Sequence, residues 1–107
     1  MISSTLQQQV ISILQPYEPI RIGIFGSYAR GENTSDSDLD ILIKFKKQMG
    51  LLKFVEVQQE LSEKLNLEVD LVTENSLKNP RLKKYIQQDL ITIYEWKRTT
   101  LFILTTF

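Results

Sequence analysis

The chain has 107 residues, 42% of them hydrophobic and 24% charged, with thirteen basic and thirteen acidic side chains in formal balance. That is enough for one domain with its own core. The zero net charge argues against a broad electrostatic grip on nucleic acid. Cysteine and histidine are both absent, which excludes disulfides, thiolate chemistry, serine–histidine catalysis and imidazole metal sites, so acid–base or metal chemistry must rest on carboxylates.

Ser3 to Gln15 reads as an amphipathic helix. Ser3, Ser4 or Thr5 can cap it, Leu6, Val10, Ile13 and Leu14 share one face, and Pro16 and Pro19 end it. Ile20, Ile22 and Ile24 then alternate with the period of a strand, which breaks at Gly26-Ser27. Tyr28 to Glu32 has helical character, and Asn33-Thr34-Ser35 is a polar turn. Asp38-Leu39-Asp40 opens a second strand running from Ile41 to Phe45. Successive strand side chains point to opposite faces, so Asp38 and Asp40 share one face while Leu39, Ile41 and Ile43 take the core face.

Two carboxylates on one face repel each other unless a cation lies between them. Hard divalent cations such as magnesium take carboxylate and phosphate oxygens. A strand that ends in Gly-Ser and feeds a helix presents unpaired backbone N–H groups to an anion. One short stretch therefore offers both a phosphate seat and a metal seat, an arrangement for handling nucleotides.

Lys46 to Gly50 makes a basic link. Leu51 to Leu65 comes next as a helix with Leu51, Phe54, Val55, Gln58, Leu61 and Leu65 packed inward, and Asn66 closes it. Leu67 to Thr73 is a third strand, with Leu67, Val69 and Leu71 on one face and Glu68, Asp70 and Val72 on the other. An acid in an apolar strand is costly unless something pairs it; Asp70 either lies on a solvated sheet face or joins Asp38 and Asp40 as a third metal-competent carboxylate, and the presence of those two favours the second. Ser76 to Leu90 is a third long helix; Pro80 sits early, and Leu82, Tyr85, Ile86 and Leu90 form its buried stripe. Arg81, Lys83 and Lys84 read as a solvated basic face in preference to a phosphate-binding patch. Ile91 to Trp96 is a short strand or the frayed end of that helix. These elements make an α/β sandwich with helices on a small sheet.

The expected domain is 1–96, then an apolar tail, 97–107, carrying Leu101, Phe102, Ile103, Leu104 and Phe107. Such a cluster fits an interface, in self-association or with a partner, or an extra element packed back on the domain. No signal peptide and no membrane-spanning apolar run is evident, so the expectation is a cytoplasmic protein.

Three phosphate- or metal-binding patterns fail by position. A P-loop needs lysine after its second glycine, where Glu32 comes after Gly31; the dinucleotide fingerprint needs Gly-x-Gly, and two residues stand between Gly23 and Gly26; a calcium loop starting at Asp36 would need glycine and glutamate where Ile41 and Lys47 stand. Gly26-Ser27-Tyr28-Ala29-Arg30-Gly31, then Ser37-Asp38-Leu39-Asp40, then Val69-Asp70-Leu71 resembles the nucleotidyltransferase pattern of the DNA polymerase beta superfamily, in the version of the minimal nucleotidyltransferases (MNT), over about Ile20 to Tyr94.

The resemblance implies the nucleotidyltransferase fold, a small mixed β-sheet with helices packed against it. It further implies that Asp38, Asp40 and Asp70 are catalytic and hold two magnesium ions, and that Gly26, Ser27 and Arg30 bind the nucleotide. Asp36 and Glu68 are left solvated. ATP is the implied substrate, and AMP transfer to a tyrosine of a HEPN-type ribonuclease toxin the implied antitoxin activity. Transfer to a small-molecule acceptor, or a non-catalytic antitoxin that masks its partner, are the alternatives.

Overall fold

The computed structural model describes residues 2–96; the tail expectation, 97–107, lies outside them. Ser3 is the cap of α1 (Ser4–Leu14), its hydroxyl accepting from the Leu6 N–H at 3.1 Å. Pro16 then sits in a single 3-10 turn, and Glu18 leaves it in a left-handed conformation to enter β1 (Pro19–Phe25). The Tyr17 hydroxyl donates to Glu60, tying this turn to the helix Leu51–Leu65.

Four strands, β1, β2 (Leu39–Phe45), β3 (Val69–Thr73) and β4 (Ile91–Glu95), form one sheet in the order β3-β2-β1-β4. β1 runs antiparallel to β2 and β4, whereas β2 and β3 are parallel, so the sheet is mixed. The period of two decides its faces. Ile22, Ile24, Leu39, Ile41, Ile43 and Leu71 point to one side and are buried under Val10 and Leu14 of α1 and Val57 and Leu61 of α3 (Leu51–Leu65). The other face carries Phe25, Gly23 and Arg21 of β1 opposite Asp40, Leu42 and Lys44 of β2. There α4 (Pro80–Asp89) lies over β1, and Leu90 fits against Gly23, where a Cβ would come within 2.5 Å of its Cδ1.

Two helices differ from the expected patterns. In α3 the inward residues are Val57 and Leu61, with Phe54, Gln58 and Leu65 half-buried; Leu51 and Val55 are exposed. The polar Gln58 sits inward because its Oε1 accepts from the Leu71 N–H at 3.0 Å, while Ser62 Oγ accepts from the Val69 N–H at 3.1 Å. α3 thus occupies donors of an edge strand, which would otherwise invite a further strand. α4 starts at Pro80 rather than Ser76. Proline disfavours helical geometry in the residue before it, and Asn79 is accordingly extended and caps the Arg81 N–H at 2.9 Å.

The α4 stripe is also rotated. Ile86 is buried and Leu90 half-buried as expected, but Leu82 and Tyr85 are exposed, and Lys83 and Gln87 turn toward the sheet around a cavity with Arg21 and Glu74. The guanidinium of Arg21 makes two bonds to Glu74, at 2.7 and 2.9 Å, and one to Glu95 at 3.3 Å. Ile86 and Leu90 face the sheet, and the exposed Lys83 and Gln87 line the edge of that cavity, still at helical spacing. Ile91 to Glu95 is a strand, not a frayed helix end. Among the described residues no helix is long and apolar enough to cross a membrane.

The rotation of α4 has a direct consequence. Ile86→Ala should lower unfolding free energy by about 2–5 kcal/mol, whereas Leu82→Ala should change it by about 0.5 kcal/mol or less. Urea denaturation of the two variants checks this, and the reverse order would contradict the observed face.

Candidate active site

β1 ends at Phe25 because the next residue, Gly26, takes a φ of +73°, open to glycine at little cost. The chain turns there into α2 (Gly26–Arg30), two residues earlier than the sequence pattern places it. Gly31, also at φ +73°, ends the helix. Its N–H donates to Tyr28 and the Glu32 N–H to Ser27, the double closure of a Schellman motif. The first turn of so short a helix leaves its leading N–H groups without carbonyl partners inside the helix. Ser27 is half-buried in that turn.

The aspartates come from the parallel pair formed by the central strand β2 and the edge strand β3. Asp40 pairs in register with Asp70, and Leu39 with Val69, so the two carboxylates stand side by side on the face away from the core. Asp38 immediately precedes β2, and the adjoining Leu39 N–H donates to the Glu68 carbonyl at 2.8 Å. Asp38 and Asp70 are exposed and Asp40 is half-buried. Glu68 and Asp36 are exposed as well.

Gly26 and Asp40 are in direct contact. A Cβ on Gly26 would lie 2.2 Å from Asp40 Oδ2, so the missing side chain is what admits this carboxylate. Burial pushes the Asp40 carboxyl above its ordinary value, and repulsion from Asp70 and then Asp38 pushes it the same way; the charge of Arg30 pulls partly back. Among the described residues no three carboxylates are gathered closely enough to grip a cation in their present rotamers. The donor set nevertheless suits a hard divalent ion. It is all oxygen, its central member is destabilised as an anion, and its outer members are exposed side chains that change rotamer readily.

Arg30 projects from the end of α2, with Nε 2.6 Å from Glu32 and Nη1 2.9 Å from Asp89 of α4. These two carboxylates raise its affinity for its proton and tie α2 to α4. Neither partner was signalled by the motif: Glu32 is two residues away and Asp89 is brought in only by the packing of α4.

Comparison with known proteins then defines the family. The model of the nucleotidyltransferase domain matches residues 6–93. The chain is 45% identical over 92 residues to MJ0126 of Methanocaldococcus jannaschii, a candidate protein adenylyltransferase, covering 86% of this chain and 94% of the relative. It is 48% identical over 67 residues to the protein adenylyltransferase MntA of Thermococcus cleftensis, covering 63% of this chain and 68% of that one. Its fold is similar to that in the complex of a tri-AMPylated Shewanella oneidensis HEPN toxin with its MNT antitoxin, with a TM-score of 0.70 at 20% identity over 92% of this chain and 76% of that one.

Contact between Gly26 and Asp40 can be measured by a double-mutant cycle. Gly26→Ala suffers left-handed strain of about 1–2 kcal/mol and in addition displaces the carboxylate. In an Asp40→Ala background only the strain should remain. Equal losses in the two backgrounds, read by urea denaturation, would contradict the contact.

Proposed function

The chain belongs to the nucleotidyltransferase domain family, and on that premise we propose that it transfers AMP from ATP to a tyrosine of a HEPN-type toxin, acting as its antitoxin. One observation carries the reading: Asp40, beside Asp70, rests against the Gly26-Ser27 turn, so a cation seat and a phosphate seat adjoin. The adenylyltransferase relatives support the nucleotidyl chemistry, and the AMPylated HEPN toxin held by an MNT antitoxin supports the class of partner.

Each residue then has a task. Asp38, Asp40 and Asp70 would hold magnesium, two ions in the full arrangement. When bound, the metal neutralises the triphosphate and favours loss of pyrophosphate. The Ser27 hydroxyl and the leading N–H groups of α2 donate to phosphate oxygens. Gly26 leaves room for the phosphates as it does for Asp40. Arg30, held by Glu32 and Asp89, braces the loop and adds a positive charge beside the site. In the transfer, the tyrosine oxygen bonds to the α-phosphorus, the α–β bridging bond breaks, pyrophosphate leaves and the phenolic proton passes to solvent. Exposure of Asp38 and Asp70 leaves the site open to an acceptor as large as a protein surface.

The test is magnesium-dependent transfer of labelled AMP to a co-purified HEPN partner. Asp38→Asn, Asp40→Asn and Asp70→Asn should each abolish it, while Glu68→Gln should leave it intact. Appreciable transfer by the Asp40 variant at saturating magnesium, or masking of the toxin with no AMP added, would overturn the proposal. Ser27→Ala should weaken ATP use by about 0.5–3 kcal/mol, the range for one hydrogen bond.

Asp40→Asn should also fold well. The Asp40 carboxyl of the native state holds its proton more tightly than in the unfolded chain, so its ionised form lowers stability at neutral pH. In metal-free buffer at pH 7 the variant should melt at or above wild type. The gap should narrow as acidification protonates Asp40. A variant that melts lower at neutral pH, by calorimetry, would contradict this sign.

A further inference from the structure

Asp89 is the last residue of α4, and its carboxylate lies 2.9 Å from Nη1 of Arg30 in α2. A carboxylate in that position needs a reason. The carbonyl groups at the C-terminus of a helix favour a cation there and disfavour an anion. α4 is charged the other way round, with Arg81, Lys83 and Lys84 in its first half and Asp89 at its end. Asp89 therefore weakens α4 taken alone, and the pair with Arg30 is the contact that offsets this. The Asp89 side chain is 24% exposed, against 64% for Glu32, the other partner of Arg30, so the pair with Asp89 is the better shielded from water. Glu32 follows Arg30 by two residues and cannot fix it relative to the sheet. Asp89 can, because Ile86 is buried beneath α4 and Leu90 fits against Gly23.

Arg30 stands on the aspartate side of α2. Residues four apart on a helix lie one above the other, so Arg30 shares a face with Gly26, against which Asp40 rests. The charge of Arg30 accordingly reaches the Asp40 carboxyl and lowers its hold on the proton. A guanidinium carries five N–H donors in a rigid plane. Nε gives its one to Glu32 and Nη1 gives one of its two to Asp89, which leaves three, both of those on Nη2 among them, without partners among the described residues. Anchored at two points, the group keeps donors for phosphate oxygens and has less side-chain freedom to lose on meeting them.

We propose that Asp89 is a positioning residue of the nucleotide site, holding the Arg30 guanidinium from α4 so that its open N–H groups meet the triphosphate. It acts through Arg30 and touches no nucleotide atom itself. The assignment rests on the nucleotidyl-transfer reading above. The competing role is a brace between α2 and α4 that serves stability alone.

A double-mutant cycle in the full chain separates the two roles, read by calorimetric binding of the non-hydrolysable ATP analogue AMP-PNP with magnesium. Arg30→Ala should weaken binding about tenfold or more, as for the loss of a hydrogen bond between charged groups. Asp89→Ala should weaken it at least about threefold in the wild-type background, but less than about twofold once Arg30 is alanine. Asp89→Glu, which keeps the carboxylate, should restore most of the affinity. Asp89→Asn keeps an acceptor oxygen, and with it the fold, and should fall between the alanine and glutamate variants. A brace serving stability alone would lower the melting temperature and leave the affinity of the folded protein unchanged. Equal losses in the two backgrounds, or wild-type affinity in both Asp89→Ala and Asp89→Asn, would overturn the assignment while the nucleotide reading stands. Wild-type protein that binds no analogue would overturn that reading and the assignment with it.

Discussion

The parallel pairing of β2 with β3 is the constraint on which the site depends. It sets Asp40 beside Asp70 and at the same time buries Leu39, Ile41 and Val69 on the opposite face. A slip of one residue would turn every side chain of β3 over, placing Asp70 in the core and Leu71 in water. The hydrophobic burial that stabilises the sheet thus also fixes which acids face each other. α3 strengthens this register through Gln58 and Ser62, whose side-chain oxygens engage the Leu71 and Val69 N–H groups of β3.

The fold holds these carboxylates against their own repulsion. Asp40 is half-buried, pressed on Gly26 and flanked by two further acids, with Arg30 partly compensating. Such a cluster stores an unfavourable interaction in the folded state, one that a bound cation would relieve. Arg30 links the site to the rest of the molecule: its pairs with Glu32 and Asp89 join α2 to α4. Movement of α4 against the sheet would therefore be felt at the glycine-serine turn.

Much of this was legible in the sequence because it depends on short-range spacing. The period-two runs around Ile22 and Ile41, the break at Gly26 and the Asp-x-Asp of Asp38 and Asp40 are local features, and the chain forms the mixed sheet and nucleotidyltransferase fold that they and the family resemblance imply. What escaped the sequence depends on tertiary placement. Spacing placed Gln58 inward, but its partner there, the Leu71 N–H of the edge strand, is set by tertiary packing. Helical spacing put Leu82 and Tyr85 in the buried stripe, whereas the side of α4 that meets the sheet carries Ile86 and leads to Leu90 against Gly23. Asp89 could not be assigned to Arg30 by any spacing rule, since 59 residues separate them. The contact between Gly26 and Asp40 was hidden for the same reason: glycine was read for the ligand it admits, not for the carboxylate already there.

The central claim is that Asp38, Asp40 and Asp70 form one cation seat adjoining the Gly26-Ser27 turn. Manganese in place of magnesium, added with a non-hydrolysable ATP analogue, tests it directly through paramagnetic broadening of the carboxylate carbon resonances. The resonances of Asp38, Asp40 and Asp70 should broaden first and together, with Asp36 and Glu68 sharp at the same metal ratio. Broadening centred on Asp36 or Glu68, or none at Asp40 when the analogue is bound, would contradict it.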